Sequence, residues 1–356
     1  MKKIFDSIKL GQLSVKNRAV RSATFERNGG ENGVITPRLK ERYEALASGG
    51  VGVIITGMMG IGGNSCLNKV MPKIYLEEFT EKFKEAAEAA HKFGAKVIVQ
   101  LGHCGAKSTD IDRGDHPYAP SDIEAIPGKP AKALLKEEIR HLTAEFGASA
   151  AKCRSAGADG VQLHGAHGYL ISQFLSPCFN KREDEYGGSV ENRARFLFEA
   201  YDEVRTQVGP EYPVWVKINY SDLAEGGLSG GDCLQTCREL ERRGIDAIEI
   251  SSGLVPNQTA SQPVKSEDDE GYLAEGALKI SSEIGTPIIS VGGYRTPSVI
   301  EDFLNKGNIE AISLCRPFIC EPGLLNRWAA GDGTKARCVS CNRCYLSPNL
   351  ECVLNQ

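Results

Sequence analysis

The stretch AGADGVQLH, Ala156–His164, consists of three parts that recur along the chain. A glycine follows a helical segment, a short apolar run comes next, and a polar loop begins directly afterwards. The glycine is typical of a helix C-terminus, where the left-handed backbone conformation favours it. Short apolar runs without strict alternation are typical of parallel strands that are covered on both faces. The same order recurs in SGGVGVIIT, FGAKVIVQL, RGIDAIEIS, IGTPIISVG and KGNIEAISL.

Two further apolar runs, KNRAVRSA and YPVWVKINY, bring the number of predicted strands to eight, with helical stretches between them. Eight β-then-α units in one chain predict a single (β/α)8 barrel of the α/β class. A doubly wound sheet is the alternative, but such a sheet rarely needs eight units. The helices are predicted at Pro37–Ser48, Glu77–Phe93, Lys136–Ser155, Arg193–Val208, Gly231–Arg243, Glu275–Ile284, Pro297–Asn305 and about Gly323–Ala330.

No linker rich in proline, glycine or serine divides the chain. We therefore expect a barrel domain over residues 1–330 and a short cysteine-rich segment over residues 331–356. The predicted αβ connections are short, whereas several βα connections are long. In a barrel the βα loops form the C-terminal face, which is where active sites lie, so we expect the functional site there. The long βα connections are Gly102–Leu135, Gly165–Asn192, Ser221–Gly230 and Ser252–Ala274.

The composition and net charge of the chain indicate which broad class of protein it belongs to. Of the 356 residues, 41% are hydrophobic and 25% are charged, as in soluble globular proteins. The formal net charge of −4 gives no reason to expect binding to nucleic acid or to an anionic membrane surface. The N-terminal MKKIFDSIKLGQL lacks an apolar core followed by a cleavage site, so we expect a cytoplasmic protein. Glycines interrupt the uncharged run Ala45–Asn68, which argues against a membrane span.

The end of the fourth predicted strand carries His164, His167 and Tyr169. If a helical turn begins there, the two histidines lie on one face, because they are three residues apart. Two neutral imidazoles can donate two hydrogen bonds to one oxygen, and the tyrosine can supply a proton nearby. That arrangement suits the polarisation of a carbonyl group. The alternatives are a metal site completed by His103, or histidines with a purely structural role.

Two polar residues are predicted to point into the barrel near its C-terminal end. Gln100, in VIVQLGH, is a buried amide that must be hydrogen-bonded, and a flat heterocycle with donors and acceptors would satisfy it. Lys217, in PVWVKINY, is an interior cation that is costly unless it meets an anion. The alternative for Lys217 is a pairing with a nearby carboxylate.

The last two predicted strands end in VGGYRTP and LCRPF. Glycines after strand seven and an arginine after strand eight, beside short helix N-termini, predict a phosphate site of the kind that barrels often carry. Gly292, Gly293 and Arg316 would hold the phosphate. The stretch Ser251–Gly253 would add a hydroxyl group.

The long stretch Val161–Phe196, with HGAHGYL, FLSP, DEYGGS and ENRARF, resembles the Old Yellow Enzyme family of NADH:flavin oxidoreductases. The resemblance extends through VKNRAVRSAT, VIVQLGHCGAK, VGGYRTP and CRPF, over nearly the whole chain. It implies a barrel that binds FMN without a covalent bond. It also implies that reduced nicotinamide, NAD(P)H, gives the flavin a hydride, which then passes to an alkene conjugated to an electron-withdrawing group.

The resemblance further implies a role for individual residues. His164 and His167 match the pair that binds the carbonyl oxygen of the substrate, and Tyr169 matches the proton donor. Lys217 takes the place of an arginine beside flavin N1 and O2, where a cation stabilises the anionic reduced flavin. The other implied FMN contacts are Ser22, Ala23, Thr24, Gly57, Gln100, Ser251, Gly253, Gly292, Gly293, Cys315 and Arg316.

The chain departs from the family pattern at two positions. Phe25, in RSATFE, replaces the threonine or cysteine that tunes the flavin in many relatives. It also stands where the trimethylamine dehydrogenase subgroup has its flavin-linking cysteine, so covalent attachment by that route is excluded. Lys217 keeps the charge of the usual arginine but not its forked geometry.

Four of the twelve cysteines are clustered near the C-terminus with spacing C-x2-C-x2-C-x7-C. This spacing suggests a metal site. It resembles the [4Fe–4S] motif of the dienoyl-CoA reductase and trimethylamine dehydrogenase branch, although the last gap is shorter here. The alternatives are a zinc knuckle or free cysteines. A cluster would imply an external electron carrier such as ferredoxin. The motif comprises Cys338, Cys341, Cys344 and Cys352.

Three hypotheses follow for the function. The first is an FMN-dependent ene-reductase acting on a small electron-poor alkene. The second is an iron–sulfur flavoprotein reductase or dehydrogenase that exchanges electrons with another protein. The third is a non-enzymatic barrel that binds a phosphorylated ligand and carries a zinc knuckle. The resemblance favours the first. Relatives of that family often associate, so a homo-oligomer is one possible state of this chain.

Overall fold

Eight parallel strands close on themselves in the computed structural model, which describes residues 1–111, 115–254 and 262–355. In chain order the strands are β1 (Ile8–Leu10), β2 (Leu13–Val15), β3 (Ala19–Arg21), β4 (Val53–Ile55), β5 (Met59–Gly60), β6 (Lys96–Gly102), β7 (Tyr118–Ala119), β8 (Ile123–Ile126), β9 (Lys129–Ala133), β10 (Gly160–Gly165), β11 (Val214–Asn219), β12 (Ala247–Ser251), β13 (Ile288–Val291) and β14 (Ile309–Leu314).

The barrel follows the order β3, β4, β6, β10, β11, β12, β13 and β14, and the pairing of β14 with β3 closes it. Each of these neighbouring pairs is parallel. The prediction of a (β/α)8 barrel is confirmed. The carboxyl ends of the barrel strands therefore meet at one face, together with the βα loops.

Helices cover the outside of the barrel. Helices α1 and α3 have the predicted bounds, and the other predicted helices differ from the prediction by at most three residues at either end. Within the described residues no helix is both long and apolar enough to cross a membrane. The helices are α1 (Pro37–Ser48), α2 (Phe79–His91), α3 (Lys136–Ser155), α4 (Leu170–Leu175), α5 (Val190–Val208), α6 (Gly230–Arg242), α7 (Ala274–Ser281), α8 (Pro297–Leu304), α9 (Arg316–Cys320) and α10 (Leu324–Ala329).

The apolar core has two layers. The outer layer lies between the strands and the helices. The inner layer fills the lower part of the barrel, where Trp215 and Ile289 are buried among small and branched side chains. The hairpin of β1 and β2 closes this lower end, because Leu10 and Leu13 pack against the inner layer.

Several elements were not predicted from the sequence. They are the hairpin of β1 and β2, the small sheet of β7, β8 and β9, and the short helices α4 and α9. The sheet lies within the long connection after β6, and α4 lies within the one after β10. Each element is two to six residues long, which is too short for a hydrophobic period to be read from the sequence.

Strand register positions the polar residues near the mouth of the barrel. His164 on β10 is the register partner of Lys217 on β11, and Lys217 is the partner of Glu249 on β12. One level lower, Gln162 is the partner of Gln100 on β6. Residues at one level of neighbouring strands face the same side of the sheet, so these polar side chains share the barrel interior.

We predict that the β1–β2 hairpin contributes to stability by closing the barrel. Leu10→Ala should lower the free energy of unfolding by about 2 to 5 kcal/mol, because it leaves a cavity in the inner layer. Ser14→Ala on the exposed side of the same hairpin is the matched control and should change it by less than about 0.5 kcal/mol. Urea denaturation followed by tryptophan fluorescence measures both. Equal effects of the two substitutions would show that the hairpin does not close the core.

Candidate active site

A cavity of about 620 Å³ opens at the carboxyl ends of the barrel strands. It brings together most of the residues that the sequence singled out. Three of the predicted contacts, Gly57, Gly253 and Gly292, do not line it. The predicted residues that do line it are Ser22, Ala23, Thr24, Gln100, His164, His167, Tyr169, Lys217, Ser251, Gly293, Cys315 and Arg316.

The two histidines meet at this cavity, but not through a helical turn. His164 lies near the end of β10, and His167 has a left-handed backbone with φ of 61°. Helix α4 begins only at Leu170, so the prediction of a shared helical face was wrong. The tight turn nevertheless places the ring centroids 5.4 Å apart, with the ring planes at 85°.

Both histidine rings are neutral. Burial, with the positive charges of Lys217 and Lys107, lowers the pKa of His164 to about 3. Burial and the same cations, together with His164, hold the pKa of His167 well below its ordinary value. The amide N–H of Ala166 donates to Nδ1 of His164 at 3.3 Å, so this ring carries its proton on Nε2.

Ser251 supports the second histidine. Its Oγ lies 2.7 Å from Nε2 of His167. When the hydroxyl donates, the proton of the His167 ring is on Nδ1, and the pair can offer two N–H donors to one ligand oxygen. The sequence predicted a hydroxyl from Ser251–Gly253 at the phosphate, and in the structure the hydroxyl of Ser251 contacts His167. The amide N–H of Gly253 donates to the carbonyl of Ser221, and the side-chain amide of Asn219 donates to the carbonyl of Gly253.

Tyr169 lies beside His164, with ring centroids 5.0 Å apart. Burial raises the pKa of its phenol, and the nearby Cys104 raises it further, so the hydroxyl keeps its proton. A buried phenol with a proton to give is a competent general acid when a ligand becomes basic beside it.

His103 does not complete a metal site with the histidine pair. Its Nδ1 accepts a hydrogen bond from the amide of Gly105, and its ring stacks on Tyr118 at 5.8 Å. It does not line the cavity. Across the described ranges, no group of three or more His, Cys, Asp or Glu side chains is arranged to hold a metal ion.

A chain of hydrogen bonds crosses the barrel below the cavity. Gln100 Nε2 donates to Gln162 Oε1 at 2.8 Å, and Gln162 Nε2 donates to Glu249 Oε2 at 3.1 Å. Lys217 Nζ lies 3.1 Å from Glu249 Oε1, and Ser22 Oγ donates to the same oxygen at 2.8 Å. This series of hydrogen bonds orients the amide of Gln100, and the amide oxygen is left to accept a hydrogen bond from a ligand.

Glu249 is a charged group in the barrel interior. Burial raises the pKa of its carboxyl, but Lys217 and the hydrogen bonds from Ser22 and Gln162 outweigh burial and lower it below its ordinary value. The sequence left two roles open for Lys217, contact with a ligand or pairing with a carboxylate. In the structure it lines the cavity and also pairs with Glu249.

The end of the cavity near β13 and β14 fits a phosphate. Gly293 has φ of 77°, and a Cβ there would lie 2.6 Å from atoms of Tyr272 and Val264. Arg316 donates to Asn342 Oδ1 at 2.8 Å and to the carbonyl of Gln262 at 2.9 Å. These acceptors are neutral, so the guanidinium charge is available to an anion.

The lining as a whole fits FMN. Gln100 and Lys217 offer polar contacts to a ring edge, and Arg316 and Gly293 offer a phosphate cradle. Thr24 and Cys315 lie between them, with Oγ1 and Sγ 3.0 Å apart. No aspartate or glutamate from the described parts of the chain lines the cavity, as expected for a site that takes an anionic ligand.

Phe25 belongs to an apolar wall of the cavity with Met58, Leu67 and Met71. Gly57 lies behind this wall. A Cβ on Gly57 would lie 2.5 Å from the carbonyl oxygen of Thr24. The glycine therefore allows the βα loops after β3 and β4 to pack closely.

Sequence reasoning missed many of the lining residues, among them Lys107, Arg27 and Tyr345. Lys107 follows β6 in the quoted motif VIVQLGHCGAK, and its position shortly after a strand end was the available signal. Arg27, with φ of 54°, and Tyr345 also line the cavity. Arg27 donates to the carbonyl of Tyr345 at 3.0 Å, so the C-terminal segment forms part of the site.

The four cysteines of the C-terminal motif line one small cavity of about 10 Å³, with Arg316 and Asn342 beside them. Cys341 is exposed and the other three are buried. Cys320, which lies outside the motif, packs with Cys338 and Cys352. Cysteine thiols are the ligands of iron–sulfur and zinc sites, but these four are not arranged to hold a metal ion as they stand, and the small cavity gives a four-iron cluster no room unless the thiols move apart.

Residues 3–334 match the family model described as the NADH:flavin oxidoreductase / NADH oxidase family. The NADPH dehydrogenase of Clostridium acetobutylicum is 31% identical over 323 residues, covering 90% of this chain and 92% of that protein. The NADH oxidase of Thermoanaerobacter brockii is 32% identical over 365 residues, covering 99% of this chain and 56% of that protein. The structure of an Old Yellow Enzyme homologue from Zymomonas mobilis superposes with a TM-score of 0.79 at 28% identity, covering 94% of each chain.

The matches differ in extent. The chain spans about half the length of the NADH oxidase and nearly the whole length of the NADPH dehydrogenase. The family model ends at residue 334, before Cys338, whereas the match to the NADH oxidase takes in 99% of the chain. The cysteine motif therefore lies outside the part that the family model describes.

We predict that the barrel interior tolerates the charge of Lys217 only when Glu249 is present as its counter-ion. Glu249→Gln should lower the free energy of unfolding by about 3 to 5 kcal/mol, because it leaves a buried ammonium group without its counter-ion. The double variant Lys217→Met/Glu249→Leu should lose less than Glu249→Gln alone. Urea denaturation of the flavin-free protein measures the difference.

The matched control for this prediction is Glu275→Gln, which makes the same change in an exposed ion pair with Lys279. Solvent screens that pair, so its loss should matter far less. An effect of Glu249→Gln no larger than that of the control would contradict the proposed dependence.

Proposed function

The chain belongs to the NADH:flavin oxidoreductase / NADH oxidase family, as its motifs predicted, and from that premise we propose that it is an FMN-dependent ene-reductase. In this reaction NAD(P)H would reduce an alkene conjugated to a carbonyl group, and bound FMN would supply the hydride carrier. Tyr169 donates the proton. The single observation that carries the proposal is the meeting of two neutral histidines and a protonated tyrosine at one flavin-sized cavity.

The histidine pair supplies the carbonyl site in this proposal. Because His164 and His167 are neutral, each ring can donate one hydrogen bond without bringing a positive charge to the ligand. Two such donors withdraw electron density from the carbonyl group, and the conjugated carbon becomes a better hydride acceptor. Ser251 keeps the His167 ring in the required orientation.

Tyr169 completes the reaction. Addition of a hydride to one alkene carbon leaves negative charge on the neighbouring carbon, and the phenol of Tyr169 can neutralise that charge with its proton. Burial keeps this proton in place until the acceptor becomes basic. The apolar wall formed by Phe25, Met58, Leu67 and Met71 excludes water from the same space.

The other polar residues of the cavity would bind the cofactor. Bound FMN supplies the two-electron carrier that accepts and returns the hydride. Gln100 and Lys217 would contact the ring edge, with the amide of Gln100 oriented by Gln162. Gly293 and Arg316 would hold the phosphate group. The non-enzymatic alternative is not favoured, since the relatives are named as a dehydrogenase and an oxidase.

We predict that Tyr169→Phe separates the two halves of the reaction. Reduction of bound FMN by NAD(P)H should proceed at the wild-type rate, because it needs no proton from the phenol. Reoxidation by an enone such as 2-cyclohexenone should slow by about 100-fold or more, the usual loss for a missing general acid. Anaerobic stopped-flow absorbance of the flavin measures both rates.

Tyr118→Phe is the matched control, since Tyr118 stacks on His103 outside the cavity. It should leave both rates unchanged. A protein that is purified without colour and takes up no FMN would refute the proposed function. An unchanged rate of reoxidation in Tyr169→Phe would remove the tyrosine from its proposed role.

As a second element of function, we propose that Cys338, Cys341, Cys344 and Cys352 hold a [4Fe–4S] cluster, which would exchange electrons with an external carrier. The support is the gathering of all four thiols at one small cavity next to Arg316, which also lines the flavin cavity. Burial raises the pKa of the Cys344 thiol to about 12, so this thiol would lose its proton only on binding a metal ion. A single zinc ion is the alternative occupant, and it needs less space.

Anaerobic purification and metal analysis test this second proposal. We expect about four iron atoms and four sulfides per chain, and their loss in Cys341→Ser. Cys178→Ser, at a half-buried cysteine outside the motif, is the control and should keep the full iron content. One zinc ion per chain, or no metal at all, would contradict the iron–sulfur assignment without affecting the flavin chemistry.

A further inference from the structure

Lys107 is a cation at the substrate end of the cavity. It ends the short turn Gly105–Lys107 that follows β6, and its side chain lines the cavity beside His167 and Tyr169. Its Nζ donates to the carbonyl of His167 at 2.8 Å and to the carbonyl of Leu254 at 2.6 Å. Two main-chain contacts therefore hold the ammonium group in place, 5.4 Å from the centre of the Tyr169 ring.

The charge of Lys107 has no carboxylate partner within the described residues. Lys217, the other lysine of the cavity, forms an ion pair with Glu249. Arg316 lies with Gly293 at the phosphate end and is assigned to the cofactor. Lys107 is thus a cation that neither the fold nor the cofactor site neutralises.

Burial without a counter-ion is unfavourable for an ammonium group. It lowers the pKa of Lys107 to about 8, although Cys104 and Asp222 act in the opposite direction. The two carbonyl oxygens use two of the three N–H donors of the group. One donor is left for a ligand, and an anion placed there would stabilise the charged form.

We propose that Lys107 binds a carboxylate of the substrate, so that the preferred substrates are electron-poor alkenes that carry a carboxylate group. This inference rests on the proposed function, because it places the alkene between Tyr169 and the cofactor. His164 and His167 take the carbonyl oxygen, and Lys107 takes the anionic end next to Tyr169. The two sites together fix both ends of a short substrate.

The reaction balances without any change at the carboxylate. One alkene carbon gains a hydride that originates in NAD(P)H, and its neighbour gains a proton from Tyr169. The carbon–carbon double bond becomes a single bond, NAD(P)H is oxidised to NAD(P)⁺, and the tyrosinate regains a proton from water. Lys107 contributes binding and orientation only, and it is a specificity-determining residue.

The test compares two probes that differ in charge, (E)-4-oxopent-2-enoate and its methyl ester, with the FMN-loaded full chain. Wild-type protein should prefer the acid. In Lys107→Met, kcat/KM for the acid should fall about 10- to 100-fold, as for loss of one charge-assisted hydrogen bond, mainly through KM. The value for the ester should fall by a much smaller factor than the value for the acid, and Lys107→Arg should restore part of the preference.

The matched control is Lys132→Met, which removes an exposed lysine of β9 and should leave both probes unaffected. A binding measurement avoids dependence on turnover. The saturated acid 4-oxopentanoate should perturb the flavin spectrum, with a Kd about 10- to 100-fold higher in Lys107→Met than in wild type. Retention of FMN and of the melting temperature shows that the variant is folded.

The outcomes separate the two proposals. Reduction of the ester at rates equal to or above the acid, with no effect of Lys107→Met, overturns the role of Lys107 and leaves the ene-reductase intact. Failure to reduce either probe, with 4-oxopentanoate binding still weakened in Lys107→Met, refutes the ene-reductase and supports the anion site. Equal binding of 4-oxopentanoate by wild type and Lys107→Met overturns the anion site in every case.

Discussion

The ion pair between Lys217 and Glu249 is the interaction on which the rest of the cavity depends. A carboxylate in the barrel interior stays charged only with a cation beside it, and strand register provides that cation on the neighbouring strand. Once charged, Glu249 accepts hydrogen bonds from Ser22 and Gln162. Gln162 then orients Gln100, so a buried electrostatic pair determines which atoms the barrel offers to a flavin ring.

The Lys217–Glu249 pair also determines where positive charge remains in the cavity. Glu249 neutralises Lys217 in the centre, whereas Arg316 at one end has neutral hydrogen-bond partners and Lys107 at the other donates to two main-chain carbonyls. Between the two ends, the cations help to keep His164 neutral. A long anionic cofactor and an anionic substrate therefore match the ends, and neutral donors match a carbonyl group in the middle.

Much of the fold and of the cavity was predictable from the sequence. The glycine, apolar run and polar loop of Ala156–His164 and its repeats predicted the barrel, because each local signal concerns one strand and one helix end. The motif HGAHGYL predicted which residues meet at the cavity. It did not predict that His167 adopts a left-handed turn, or that the hydroxyl of Ser251 contacts its ring. Both depend on how the loops after β10 and β12 pack against one another.

The sequence by itself determined the barrel, its functional face and the identity of the histidine pair, because hydrophobic period, glycine placement and a long motif are local properties of the chain. Only the tertiary structure decided that Glu249 neutralises Lys217, that Lys107 has no such partner among the residues the structure describes, and that Tyr345 reaches the cavity from the C-terminal segment. The physical reason is that pairing and burial of a charge depend on residues far apart in sequence, and strand register and loop packing alone bring them within hydrogen-bonding distance.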